Sequence, residues 1–225
     1  MPAFNEAARL PAVLDSVRQV VPDAQIVVIN DGSKDATTDV ARDHGATVLE
    51  LPFNLGYGAA LQTGYKYALE TDAQVVVQMD ADGQHDPSEI PVLRAPIESA
   101  EADLVIGSRF LQPTDYEMGH ARSAGRRLFQ WMAGRAGLSV TDPTSGFQAM
   151  NRTVLELYAG PFFPTDYPDV DVLLVAHRRG IRIREVSVHM KPETRKSTLH
   201  GGTRSFYYLY RLALSLWAGT NQRTS

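Results

Sequence analysis

Short apolar segments alternate with helical patterns through the first half of the chain, and this alternation restricts the possible folds more than any other feature. Segments that predict β-strands lie at residues 25–30, 46–51, 74–79, 103–107 and 182–188. Helical patterns lie at residues 7–20, 35–44, 56–71, 88–100, 122–137 and 168–179. Repeated strand–helix–strand units build a parallel sheet covered by helices. The sequence therefore predicts an α/β fold with a mostly parallel, Rossmann-like sheet flanked by helices.

The start of the chain departs from this pattern. It opens MPAFNEAARL, in which residues 2–6 resemble a loop that leads into a helix. A loop of this kind normally follows a strand, and no strand pattern precedes it. We expect that the fold begins without this strand or that the chain start has been trimmed, and that residues 2–6 are poorly ordered as a result.

Composition excludes several classes of function. With 44% hydrophobic residues, 21% charged residues and a net charge of −4, the 225-residue chain has no basic character typical of nucleic-acid binding. The absence of cysteine excludes disulfides, thiolate catalysis and cysteine-bound zinc. No segment reaches the roughly 18 to 20 apolar residues of a membrane-spanning helix, and no signal-peptide layout is present. These features predict a cytoplasmic protein.

Three acidic residues follow the third predicted strand. Asp80 and Asp82 come directly after it, so both can face the space beyond the carboxyl end of the strand, where α/β sheets bind ligands. Carboxylates with an open coordination sphere suit Mg²⁺ or Mn²⁺, and Gln84 and His85 could support such a site. The alternative is a polar turn, and Asp86 before a proline is better explained as the N-cap of the next helix.

A second polar group lies at the end of the first predicted strand. Asp31 could accept hydrogen bonds from a base or ribose, while Gly32 permits a tight turn; an Asx turn explains the same residues equally well. The segment NLGYG, at residues 54–58, begins a helix with two glycines that would allow close approach of a ligand. It is neither a dinucleotide fingerprint nor a phosphate-binding P-loop, and no serine-hydrolase motif occurs.

Six segments together resemble one known family. They are PAFNEA at 2–7, VINDGSKD at 28–35, NLGYGAALQTG at 54–64, MDADGQHDP at 79–87, GSRF at 107–110 and DPTSGFQAMNR at 142–152. In this order they resemble the inverting family 2 glycosyltransferases of the GT-A fold, and within them the polyprenyl-phosphate sugar transferases of the dolichyl-phosphate mannosyltransferase kind. The resemblance implies a GT-A domain over residues 1–202.

The resemblance also implies site residues. Those assigned to nucleotide and phosphate binding are Pro2, Phe4, Glu6, Ile29, Asp31, Asp80, Ala81, Asp82, Arg109, Arg122 and Arg195. The implied ligands of a divalent cation, Mg²⁺ or Mn²⁺, are Asp80, Asp82 and Gln84. The implied catalytic residues are Asp82, Arg109 and Asp171. Where the family carries an arginine before its last helix, this chain has Glu193, flanked by Lys191, Arg195 and Lys196.

The implied reaction moves a sugar from a UDP- or GDP-sugar onto a polyprenyl phosphate by single displacement. Two alternatives keep the fold: transfer to a hydroxyl of a saccharide or cell-envelope glycan, with Asp169 or Asp171 as general base, or a domain that binds nucleotide sugars without turnover. A sugar nucleotidyltransferase would need a glycine- and arginine-rich phosphate loop near the N-terminus, which the sequence lacks.

The last 23 residues, 203–225, predict an amphipathic helix rich in tyrosine and leucine. Such a helix suits the membrane interface, and docking on the protein core is the alternative. The partners expected are therefore a nucleotide-sugar donor, a lipid-phosphate acceptor and the inner face of a membrane, reached directly or through a separate anchor protein. No nucleic acid is expected.

Overall fold

The structure is a computed structural model that describes residues 1–112, 130–131, 134–135, 137–166, 168 and 170–191. Several predictions concern residues outside this part of the chain: most of the basic helix at 122–137, the C-terminal helix at 203–225, and Arg122, Asp169, Glu193, Arg195 and Lys196.

Strands and helices alternate through the first half of the described chain, as predicted. The strands are β1 Pro2–Ala3, β2 Val27–Asn30, β3 Thr47–Glu50, β4 Val75–Gln78, β5 Leu104–Ser108, β6 Gln148–Asn151 and β7 Ile183–Ser187. The helices are α1 Leu10–Val20, α2 Thr37–Asp43, α3 Tyr57–Leu69, α4 Ile90–Glu98, α5 Arg152–Tyr158 and α6 Val170–Arg178, with a short 3₁₀ turn at Pro87–Glu89. The five predicted strands are confirmed, with bounds that differ by one or two residues.

The strands form two hydrogen-bonded sheets. In the first, β1, β2 and β3 lie side by side and parallel. In the second, the order is β4-β6-β5-β7, with β5 parallel to β7 and β6 antiparallel to both of its neighbours. The mostly parallel α/β architecture is thus confirmed. The sequence analysis missed β6 and α5, because QAMN is only four residues long, lacks alternation and directly follows a turn-rich segment.

The segment interpreted as a loop contains a short strand that the sequence analysis did not predict. Pro2 and Ala3 pair with Ile29 and Asn30 of β2. The Ile29 amide donates to the Met1 carbonyl at 2.8 Å, and the Asp31 amide donates to the Ala3 carbonyl at 2.9 Å. Two residues are enough for a strand here because β2 supplies a preformed neighbour.

The loop after β1 is tied to the loop after β2, contrary to the poor order expected for residues 2–6. The Asn5 amide donates to Ser33 Oγ at 2.9 Å, and the Asn5 side chain accepts from the Lys34 amide at 2.8 Å. The Glu6 amide donates to Thr37 Oγ1 at 2.9 Å. These contacts hold the loop at the carboxyl end of the first sheet.

The core lies on both faces of the second sheet. Leu104 and Ile106 of β5 pack in a cluster with α3, α5 and α6, whereas Val105 packs in a second cluster with α1 and α4. All three side chains are fully buried. A strand buried on both faces lies between two helical layers, as in α/β folds.

Candidate active site

The two carboxylates of the D-x-D segment lie just beyond the end of β4. Asp80 Oδ1 accepts a 2.8 Å hydrogen bond from the Tyr57 hydroxyl, and 32% of the Asp80 side chain is exposed. The Asp80 amide donates to His85 Nδ1 at 3.0 Å. A side chain at Gly146 would lie 3.3 Å from Asp80 Oδ2, so the turn that contains this glycine approaches the carboxylate closely. Asp80 is therefore held from three sides and still faces solvent.

His85 is the buried centre of this edge. Its ring stacks on Phe147 with centroids 4.8 Å apart, and its Nε2 lies 3.8 Å from Asp80 Oδ2. Burial lowers the pKa of His85, while Asp80 and Asp82 oppose that shift, and Arg109 also acts on it. Since Nδ1 accepts the Asp80 amide, the neutral ring carries its proton on Nε2. His85 thus supports the D-x-D turn and lies within electrostatic reach of Arg109.

Asp82 is oriented by Gln84. The Gln84 amide donates to Asp82 Oδ1 at 2.9 Å, and the Gln84 side chain donates through Nε2 to Asp82 Oδ2 at 2.6 Å. The Gln84 carbonyl in turn accepts from the Lys191 amide at 2.8 Å. A metal would bind the side-chain oxygen of Gln84. The assignment of Gln84 as a metal ligand stays a prediction.

The donor set fits a divalent cation that keeps part of its water shell. Within the described chain, no group of three or more histidine, cysteine, aspartate or glutamate side chains is placed to hold a metal. Mg²⁺ and Mn²⁺ are commonly bound through one or two carboxylates together with substrate phosphates. Asp80 and Asp82 supply those two carboxylates, and the Asp80 side chain is 32% exposed.

Arg109 is held by a buried aspartate that the sequence analysis did not single out. Its Nε and Nη2 donate to the two oxygens of Asp142 at 2.6 and 2.8 Å, and Asp142 is fully buried. The Asp142 amide donates to Glu185 at 2.8 Å, and burial raises the pKa of Glu185. A bidentate pair of this kind fixes the guanidinium plane. The signal was present in DPTSGF, which was interpreted only as a turn and a family segment.

The Asp31 side chain contacts the protein backbone. Its carboxylate is 4% exposed and accepts from the amides of Leu55 at 2.7 Å and Gly56 at 3.1 Å. It therefore sets the course of the loop that enters α3. Its contact with a nucleoside stays a prediction.

Backbone of another loop packs against the glycines of NLGYG, so the interpretation that they allow close approach of a ligand is wrong. The Gly58 and Ala59 amides, at the start of α3, donate to the carbonyls of Asp166 at 2.8 Å and Thr165 at 3.0 Å. A side chain on Gly58 would collide with the Pro164 carbonyl, and one on Gly56 would lie 2.8 Å from the Thr165 carbonyl. Backbone of residues 164–166 occupies this space.

The other nucleotide-contact residues lie around the first sheet. Pro2 and Ile29 pair in the sheet, and the Ile29 side chain is buried against α3. Ala81 is buried at the D-x-D turn, Phe4 is 43% exposed, and Glu6 forms a 2.7 Å ion pair with Arg9. Their assigned roles stay predictions.

Asp171 lies near the buried aromatic residue Tyr158. It lies in the first turn of α6 and acts on the pKa of buried Tyr158, which desolvation raises. It lines a cavity of about 130 Å³. The other lining residues are Phe162, Pro164, Val172, Leu174, Val175 and Arg178.

The α/β fold, with paired carboxylates at the end of β4, is that of a GT-A glycosyltransferase. The sequence profile described as Glycosyl transferase family 2 matches residues 1–158, and the chain belongs to this family. The chain is therefore an enzyme of the glycosyltransferase class.

Two relatives are similar to this chain over most of their own length. The undecaprenyl-phosphate mannosyltransferase of Micrococcus luteus is 32% identical over 215 residues, covering 90% of this chain and 86% of the relative. The polyprenol monophosphomannose synthase of Mycolicibacterium smegmatis is 32% identical over 169 residues, covering 69% of this chain and 62% of that protein.

Solved structures share the fold. Glucosyl-3-phosphoglycerate synthase from Mycobacterium tuberculosis, crystallised with Mn²⁺, UDP and phosphoglyceric acid, superposes with a TM-score of 0.74 at 24% identity. The match covers 96% of this chain and 76% of that one. At this identity the similarity establishes the fold alone.

Proposed function

We propose that this enzyme transfers a sugar from a UDP- or GDP-sugar to a polyprenyl phosphate, with inversion at the anomeric carbon and with a divalent cation bound to Asp80 and Asp82. One observation carries the proposal: two carboxylates, two positions apart in the sequence, follow the end of β4, with Arg109 within electrostatic reach of the same edge.

On the donor side, a cation at Asp80 and Asp82 together with Arg109 would be complementary in charge to the diphosphate of a nucleotide sugar. A cation at Asp80 and Asp82 would neutralise the negative charge that develops on the leaving diphosphate. Arg109, whose plane is fixed by Asp142, offers further positive charge near that edge. Preorganised charges of this kind stabilise the transition state without reorganisation.

On the acceptor side, a phosphate nucleophile agrees with the names of the two relatives, both of which act on polyprenyl carriers. A phosphate monoester is ionised near neutral pH, so it attacks the anomeric carbon without a general base. The anomeric carbon–oxygen bond to the diphosphate then breaks, and the nucleoside diphosphate leaves.

Ligand binding tests the donor half of the proposal. UDP- and GDP-sugars are added with and without Mn²⁺, and thermal stability is measured. A ligand present at 100 times its dissociation constant should stabilise the fold by about 2.7 kcal/mol. We expect one nucleotide to stabilise the protein only with the metal. No stabilisation by any donor contradicts the proposal.

Transfer of labelled sugar to undecaprenyl or dolichyl phosphate in detergent tests the whole reaction. Asp80→Asn and Asp82→Asn should each lower turnover by about 100-fold or more, since each removes a ligand charge. Asp86→Asn is the matched control: it makes the same change four or six residues away, at a side chain that accepts from the Ser88 amide. It should retain activity.

The hydroxyl-acceptor alternative rests on Asp171, which lines the cavity beside α6. General-base catalysis typically contributes about 10²- to 10⁴-fold. We therefore expect Asp171→Asn to lower transfer to a polyprenyl phosphate by less than 10-fold. A loss of about 1,000-fold in transfer to a saccharide hydroxyl, with folding intact, would assign Asp171 as the base and favour a hydroxyl acceptor.

A further inference from the structure

A tyrosine outside the D-x-D segment contacts its first carboxylate. Tyr57 is the first residue of α3, and its hydroxyl lies 2.8 Å from Asp80 Oδ1. A carboxylate can only accept, so the tyrosine proton points at Asp80. The contact links two elements that are 23 positions apart in the chain.

A hydrogen-bonded chain behind Tyr57 sets the direction of this contact. Gln78, the last residue of β4, donates through Nε2 to the Tyr57 oxygen at 3.4 Å, and its Oε1 accepts from the Tyr65 hydroxyl. Tyr65 is 3% exposed, and burial raises its pKa well above the usual value, so it remains a donor. Since the Tyr57 oxygen already accepts from Gln78, its own proton is directed to Asp80.

The turn after Asp142 closes the space around this contact. A side chain on Gly146 would lie 2.9 Å from the Tyr57 hydroxyl and 3.3 Å from Asp80 Oδ2. The Gly146 backbone therefore borders both the hydroxyl and the carboxylate on one side.

We propose that Tyr57 is a positioning residue for the cation site: its hydroxyl, bonded to Oδ1, holds the Asp80 carboxylate in one orientation. The proposal rests on the proposed function, because it requires a divalent cation at Asp80. Hydrogen bonds to metal-binding carboxylates fix their orientation, and their removal commonly weakens metal affinity or activity by 10- to 100-fold. Tyr57 touches a ligand of the cation and acts through it.

Substitution of Tyr57 by Phe removes only the hydroxyl. Binding of Mn²⁺ is measured by electron paramagnetic resonance on the full chain with saturating UDP or GDP, whichever stabilises the wild type. We expect the affinity of Tyr57→Phe for Mn²⁺ to fall by about 10-fold or more. Nucleotide binding in the presence of a chelator should be unchanged.

Tyr67→Phe is the matched control. Tyr67 lies on the same helix, and its hydroxyl accepts from the exposed Gln25 side chain at 3.1 Å. This variant should bind Mn²⁺ as the wild type does. Gly146→Ala tests the same contact from the opposite side, since its methyl group displaces the hydroxyl, and it should also weaken Mn²⁺ binding.

The outcomes separate the two proposals. If the wild type binds Mn²⁺ with nucleotide and Asp80→Asn does not, the metal site is supported. If Tyr57→Phe then binds Mn²⁺ as tightly as the wild type, only the role of Tyr57 is overturned. If the wild type binds no Mn²⁺, the proposed function fails and the role of Tyr57 fails with it. If Tyr57→Phe does not fold, the Gly146→Ala result decides.

Discussion

At the scale of single residues, three aspartates within seven positions have three different environments. Asp80 is held by Tyr57 and Asp82 by Gln84, and each keeps its place at the strand end. Asp86 instead caps the 3₁₀ turn, as predicted, and the hydrogen bond from the Ser88 amide lowers its pKa. Identical side chains therefore differ in role because different donors surround them.

Asp103 shows how such donors affect stability. Hydrogen bonds from Arg182 lower its pKa to about 2, helped by Asn151 and opposed by burial. Because the folded pKa lies below the unfolded one of about 3.9, the ionised carboxylate stabilises the fold above pH 4, and this stabilisation is lost as the pH falls toward 2.

We expect Asp103→Asn to lower the free energy of unfolding by about 1 kcal/mol at pH 7, a modest value because the partner guanidinium is largely exposed. The difference from the wild type should shrink between pH 4 and pH 3. Urea unfolding at both pH values measures it. The exposed residue Asp72 provides the control, Asp72→Asn, and a pH-independent loss at Asp103 would contradict the assignment.

At the scale of elements, α3 joins the two halves of the site. The Asp31 carboxylate accepts from the loop that leads into this helix, and the first amides of the helix donate to the backbone carbonyls of residues 165–166. Further along, Gln62 donates to the Gly160 carbonyl at 2.7 Å. The segment that leads to α6 and Asp171 is therefore positioned by α3.

Gly58→Ala tests this connection. The added methyl group collides with the Pro164 carbonyl, so we expect a loss of about 1 to 3 kcal/mol in the free energy of unfolding. We also expect a higher KM for the acceptor with unchanged donor affinity. Gly134→Ala is the control, because a side chain there would meet nothing within 4 Å. Equal stability of Gly58→Ala and the wild type would show that residues 164–166 adjust freely.

At the scale of the whole molecule, two apolar clusters flank the second sheet, and the site lies where strand ends and loops meet. In the part of the chain that the structure describes, no helix is long and apolar enough to cross a membrane. For an acceptor carried by a lipid, we propose that the enzyme works in the cytoplasm at the inner face of a membrane, and that residues 203–225 bind there or a separate membrane protein supplies the anchor.

Co-sedimentation with anionic liposomes tests the membrane proposal. The full chain should sediment with the vesicles, and Trp217→Ser should weaken its partition by about 10-fold or more, since a tryptophan at the interface contributes a large apolar area. Trp131→Ser is the matched control at a side chain that is 59% exposed. Equal loss in both variants would contradict a specific role for the last segment.

The sequence by itself determined the positions of five strands along the chain, the α/β class and the place of Asp80 and Asp82 after a strand, because apolar patterns of period 2 and period 3.6 are local. It did not reveal β1, which depends on a partner strand, or β6, which is short and antiparallel. Only the tertiary structure decided that Tyr57 orients Asp80, that Asp142 fixes Arg109 and that Gly58 accommodates a loop. These contacts join residues 23 to more than 100 positions apart, and local patterns carry no signal for distances through space.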